Sequence, residues 1–221
     1  MKGPGAWNVE VGGQALPGQL AVPDMDARGL VIFAHGSDSS RFSPRNIHAA
    51  ERLGQHHFAT LLFDLLTPIE SADRKNVFDI PLLASRVIEA IERARAEPRV
   101  SRLPLGLFGA STGAGAAIVA AAERPDSVRA VVSRGGRPDL ANRALLRIAA
   151  PTLLIVGEKD HEVIALNRNA QSVMTCSTRL VVVPGAGHLF EEPGTLDVAI
   201  DAALAWFGAH LRNGHDGRPH I

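Results

Sequence analysis

The sequence predicts an α/β protein with a mostly parallel, doubly wound sheet, helices on both faces, and an antiparallel hairpin at the start. Three observations carry this reading. Short apolar runs recur along the chain, helical patterns lie between them, and most of the runs are continuous rather than alternating. A continuous apolar run is what a strand covered on both faces requires. Parallel neighbours also need a crossover, usually a helix, and right-handed crossovers set helices on both sides of the sheet.

The elements follow in chain order. Residues 7–22 alternate in character and contain glycine turns, which reads as an antiparallel hairpin on the sheet edge. Buried strands are expected at residues 29–35, 58–64, 104–109, 128–133, 151–157 and 178–184. Helices are expected at 44–57, 80–96, 112–123, 139–147, 161–173 and 194–212. The pattern is clearest over 80–96, where Leu83, Val87, Ile88 and Ile91 make one stripe, with Arg86, Glu89, Glu92, Arg93 and Arg95 mostly elsewhere. Residues 112–123 are rich in Ala and Gly, so that helix is expected to pack tightly in the middle of the fold. The stretch 133–150 is too short for a separate cap, and no repeat or long linker appears, so residues 1–221 read as a single domain. Its polar, Gly/Pro/His-rich end, 213–221, is expected to fray.

Composition narrows the function classes. The chain has 221 residues, 46% hydrophobic and 21% charged, enough for a core that needs no cross-links. Lys+Arg and Asp+Glu are both 23, and this zero net charge argues against a generic nucleic-acid binder. A single cysteine, Cys176, excludes a disulfide framework and a multi-cysteine zinc site. His56 and His57 are neighbours that cannot face one site, so no metal is expected. The first residues lack a secretory pattern, and no apolar run approaches the roughly 20 residues that span a bilayer. The expectation is a cytoplasmic protein, monomer or homodimer, acting on a small molecule, without cofactor, nucleic acid or membrane.

The strongest chemical signal is Gly109-Ala110-Ser111-Thr112-Gly113, between an apolar strand and a helix. A serine on so sharp a strand-to-helix turn needs small neighbours, and the turn exposes its hydroxyl at a helix N-terminus. A glycine-rich loop after the last strand carries Gly187-His188, and the loop after the preceding strand carries Gly157-Glu158-Lys159-Asp160. Asp160 either orients the His188 ring or only caps the next helix. The order Ser111, Asp160, His188, each at the C-terminal end of an expected parallel strand, is that of an α/β-hydrolase catalytic triad. Acyl transfer also needs two amide donors for a developing oxyanion. These are expected at Thr112, beside the nucleophile, and at Ser37, in His35-Gly36-Ser37-Asp38-Ser39-Ser40. His35 itself reads as a ring that ties this loop to its neighbours.

On His35-Gly36, the serine pentapeptide, Asp160 and Gly187-His188, the chain resembles the dienelactone-hydrolase-like group of α/β-hydrolases, from about residue 30 to 211. Ser39-Ser40-Arg41, Ser43-Pro44-Arg45-Asn46, residues 133–140 and His188-Leu189-Phe190-Glu191-Glu192-Pro193 are similar to a subgroup of small, capless hydrolases. Members of that subgroup occur alone or fused to a phosphoribosyltransferase-like domain. The resemblance implies an α/β-hydrolase fold without a cap. Dienelactone hydrolases proper use a cysteine nucleophile, and this chain has Ser111 there, so the dienelactone substrate is not implied.

Arg41, Arg45, Arg74, Arg134 and Arg137 lie near the expected strand ends, and Arg41 and Arg134 are taken as substrate-binding candidates. Such guanidiniums hold a carboxylate or phosphate. The alternative is ordinary pairing with Asp38, Asp64, Asp73 or Asp139. The activity expected is hydrolysis of small carboxylic esters, or related acyl compounds, through an acyl-enzyme on Ser111. The alternatives are acyl transfer, thioesterase or perhydrolase chemistry by the same triad, or a non-catalytic binding protein on the same fold.

Overall fold

The computed structural model describes residues 5–37 and 39–212. An eight-stranded sheet runs in the order β1-β2-β4-β3-β5-β6-β7-β8. Its strands are β1 (Gly5–Val11), β2 (Leu16–Val22), β3 (Gly29–Ala34), β4 (Phe58–Phe63), β5 (Leu105–Ala110), β6 (Val128–Arg134), β7 (Thr152–Gly157) and β8 (Thr178–Val183). The hairpin β1-β2 pairs antiparallel and joins β4 antiparallel, and every later pairing is parallel. The expected sheet and its edge hairpin are therefore present.

The central strands are buried on both faces, and their side chains alternate between two cores. Leu30 and Ile32 point into one with the helices α4 (Ile80–Ala96) and α5 (Thr112–Glu123). Val31 and Phe33 point into the other with α1 (Pro44–Gln55) and α7 (Thr195–His210). The helix α6 (His161–Val173) closes the side near β7 and β8. Residues 112–121 of α5 are buried apart from Val119, because alanine and glycine let the helix sit close to its neighbours.

Four details differ from the expectations. Residues 139–147 do not form an α-helix. Residues 139–146 lie within a 3-10 segment, Pro138–Leu146, capped by Arg147 and broken at Asn142 (φ 47°, ψ −124°), so the apolar spacing there does not mark a regular α-helix. Two short turns, α2 (Pro68–Ser71) and α3 (Arg74–Val77), were not expected from an apolar pattern because their side chains stay out of the core. They are made by local capping, with Thr67 and Glu70 in a reciprocal box and Asp73 accepting from Lys75 N–H. The last strand, β8, is an edge strand and only partly buried. Arg86, placed off the apolar stripe, is buried and ion-paired to Glu70 at 2.9 Å and Glu89 at 3.3 Å. The frayed tail expected at 213–221 lies outside the described residues.

Candidate active site

Strand β5 ends against the N-terminus of α5, and Ser111 makes the joint. Its backbone takes φ 51°, ψ −124°, a strained conformation for a residue with a Cβ. The turn is held from several sides. The Ser111 carbonyl accepts from Ala114 N–H at 3.1 Å and from Arg137 N–H at 3.0 Å. A Cβ on Gly113 would lie 2.2 Å from the Ala34 carbonyl oxygen, so only glycine lets α5 come this close to the end of β3. That approach sets the elbow directly beside the loop that follows β3.

The loop after β3 is anchored by His35. Leu65 N–H donates to its Nε2 at 3.0 Å, so Nδ1 carries the hydrogen given to the Gly36 carbonyl at 2.9 Å. Burial pushes this imidazole below its ordinary pKa, which favours the neutral ring that both bonds need. Among the described residues, the amides of Ser37 and Thr112 have no protein acceptor. Both belong to segments that meet at Ser111.

Asp160 begins α6, but its carboxylate makes no capping bond. It accepts instead from His188 Nδ1 at 2.6 Å, with the Asp160 side chain 14% exposed and His188 43% exposed. The two loops that bring these groups together are laced to each other. Glu158 N–H donates to the Val183 carbonyl at 3.0 Å and Lys159 N–H to Ala186 at 2.9 Å. Glu192 accepts from Gly187 N–H at 2.9 Å and from Lys159 Nζ at 3.0 Å. These two bonds, the Gly187 amide first, hold the Glu192 carboxyl down at about 2. Glu192 was not expected to matter, since its role depends on a loop-to-loop contact that spacing does not display.

Ser111 and His188 line one cleft of about 340 Å³, together with Gly36, Ser37, Arg45, Asn46 and Arg134. Among the described residues no hydrogen bond joins the serine hydroxyl to the ring, a bond that in hydrolases often tightens only around substrate. Of the two arginine candidates, Arg134 lines this cleft. Arg41 is ion-paired to Asp64 and lies over the Phe42 ring, outside the cleft. Arg137 is likewise paired, to Asp139 at 2.8 Å.

The dienelactone hydrolase family's sequence profile matches residues 63–211. The chain belongs to the dienelactone hydrolase family. It is similar to a dienelactone hydrolase from Anabaena variabilis, with 52% identity, 96% of this chain and 100% of that one covered, and a TM-score of 0.91. The likeness to Est1E from Butyrivibrio proteoclasticus shows the shared fold alone, at 16% identity and TM-score 0.78, over 93% of this chain and 98% of that one. A Mycobacterium tuberculosis protein named for a phosphoribosyl transferase is 57% identical over 92% of this chain. This chain spans 46% of that relative's length. The family is one of hydrolases, and the eight-stranded, mostly parallel sheet is its α/β-hydrolase fold.

Among the described residues, no three His, Cys, Asp or Glu side chains cluster as metal ligands, and no helix is long and apolar enough to cross a membrane. Cys176 lies beyond α6, beside Thr152 at the opposite end of β7 from the cleft, and burial pushes its thiol pKa up.

Proposed function

We propose that this family member is a serine hydrolase of small carboxylic esters or related acyl compounds. The observation that carries the proposal is Ser111, in its strained elbow, sharing one cleft with a His188–Asp160 pair joined at 2.6 Å. The Ser111 oxygen attacks the acyl carbon as His188 Nε2 takes the hydroxyl proton, and Asp160 stabilises the imidazolium through Nδ1–H. The amides of Thr112 and Ser37 donate to the oxyanion. Collapse of the tetrahedral intermediate expels the alkoxide, which leaves as alcohol with the His188 proton. Water, deprotonated by His188, then adds to the acyl-enzyme, and collapse of this second intermediate breaks the bond to Ser111 Oγ, which takes the proton back from His188 as the acid leaves. No step calls on Cys176.

The strain at Ser111 supports this reading over that of a passive glycine turn, because strained backbone gathers at working sites. Ser111→Ala is expected to abolish covalent labelling by a fluorophosphonate and to leave less than about 1% of ester turnover, with the melting temperature retained. Full labelling of that variant would exclude Ser111 as nucleophile. Product analysis with competing thiol, alcohol or peroxide acceptors tests whether water is the acyl acceptor.

A further inference from the structure

Arg134 is the last residue of β6, in register beside Ala110, the residue before Ser111. The next residue, Gly135, packs against His188, since a Cβ there would lie 3.0 Å from the His188 carbonyl oxygen and 3.8 Å from ring Cε1. The Arg134 side chain therefore starts between the nucleophile and the imidazole, and it lines the cleft they share.

Arg134 is 7% exposed as a residue, and its Nη1 is fully buried. Buried charges are ordinarily paired with an opposite charge, because removing an ion from water is costly. The half-buried Arg95 sets its guanidinium on the Ser101, Leu103 and Ser127 carbonyls, while Arg86 with Glu70 and Glu89, Arg137 with Asp139 and Arg41 with Asp64 follow that rule. Arg134 does not. Among the described residues it has no carboxylate partner, and its Nη1 is buried without any acceptor. Among the described residues its side chain makes one hydrogen bond, from Nη2 to Asn46 Oδ1 at 3.3 Å, and the Phe108 and Phe190 rings lie 6.0 and 5.9 Å from it. Those neighbours are neutral, so they fix the plane of the guanidinium without cancelling its charge. Arg45, on the cleft rim, adds a second positive charge and is only loosely matched, 3.9 Å from Glu191. Burial, then the charge on Arg45, lowers the Arg134 pKa to about 10, and the group stays cationic at neutral pH.

We propose that Arg134, assisted by Arg45, forms an oxyanion-binding subsite inside the cleft of Ser111 and His188, so that the substrates are esters carrying a carboxylate or phosphate. This rests on the serine-hydrolase reading above and adds the substrate class. A cleft of about 340 Å³ takes a small molecule whose anionic end meets Arg134 while its acyl carbon meets Ser111. The planar donor edge suits either anion.

The test uses the full chain and three 4-nitrophenyl esters of similar length at fixed ionic strength. These are the neutral butyrate, the carboxylate-bearing hemisuccinate, and the 3-phosphonopropionate. The wild type is expected to prefer at least one anionic ester over the neutral one by about tenfold or more in kcat/KM. The better of the two anionic esters identifies the anion. Arg134→Met is expected to lower the anionic-to-neutral ratio by about 10- to 100-fold, mostly through KM, with Arg134→Lys recovering part of it. Arg45→Met, at a more exposed position, is expected to shift the same ratio by about threefold and serves if Arg134→Met fails to fold. A wild type with no preference for either anionic ester would overturn the subsite. So would an equal loss on all three esters in the Arg134 variants, which would make the residue a general support of the elbow. Fluorophosphonate labelling is run in parallel. Labelled wild type without anionic preference sinks the subsite alone, whereas an unlabelled wild type inactive on all three esters sinks the serine-hydrolase reading itself.

Discussion

Gly36 sets the loop after β3 against the elbow, and adding one methyl group there should separate them. A Cβ at Gly36 would lie 2.7 Å from Ser111 Cβ and 3.1 Å from the Ala110 carbonyl oxygen. Ordinary carbon contacts are about 3.5–4.0 Å, so Gly36→Ala must part the two segments by roughly 1 Å. Neither side yields easily, because His35 pins the loop to Leu65 N–H while Gly113 is jammed against the Ala34 carbonyl. A misplacement of about 1 Å in a catalytic constellation costs on the order of 100-fold in rate. Overpacking of this kind costs about 1–3 kcal/mol, or roughly 3–10 °C in melting temperature for a chain of this size. The assay is kcat/KM on a 4-nitrophenyl ester beside a thermal melt. Gly54→Ala is the control, since a Cβ there meets nothing within 4 Å. In α1 that change should stabilise by about 0.5–1 kcal/mol and leave turnover alone. Turnover of Gly36→Ala within about threefold of wild type would refute the claim that this contact sets the site's geometry.

Asp160→Asn should lose about 100- to 10,000-fold in kcat by steady-state kinetics, because His188 loses its tautomer control and counter-charge. Its melting temperature should hardly move, since the carboxylate caps no helix; near-normal turnover would remove Asp160 from the triad. Glu192 is held at about 2, below its ordinary 4.5, so its contribution to stability is present above pH 4.5 and is lost as pH falls toward 2. The melting-temperature gap between wild type and Glu192→Gln should accordingly be open at pH 6 and close on acidification; a gap that widens on acidification would contradict the assignment. Alkylation of Cys176 should be slow at neutral pH, because burial raises its thiol pKa, and it should leave kcat/KM unchanged in the folded protein.

Local rules made the elbow legible. A strand, a serine flanked by glycines and then a helix requires small residues at adjacent positions, and adjacency is what a sequence displays. The meeting of Asp160 and His188 was legible for a related reason. In a parallel sheet all strand C-termini lie on one edge, so loops that follow neighbouring strands meet whatever their separation along the chain. The same argument placed the Ser37 loop beside Ser111. Helices with a full apolar stripe, such as α4, could be bounded from their own residues.

The fates of the charged side chains could not be read that way. Arg41, Arg134 and Arg137 look alike in sequence, each an arginine near a strand end, yet among the described residues two have carboxylate partners and one lies buried without any. Which became which depends on distances of a few ångströms between segments far apart in the chain, as with Asn46, 88 residues from the Arg134 it orients. The buried Arg86 escaped for the same reason, since Glu70 reaches it from another element. Periodicity and topology thus determined the sheet and which loops share its edge, because those follow from local burial and strand direction. Packing alone decided which cation in the cleft is left, among the described residues, without a carboxylate partner.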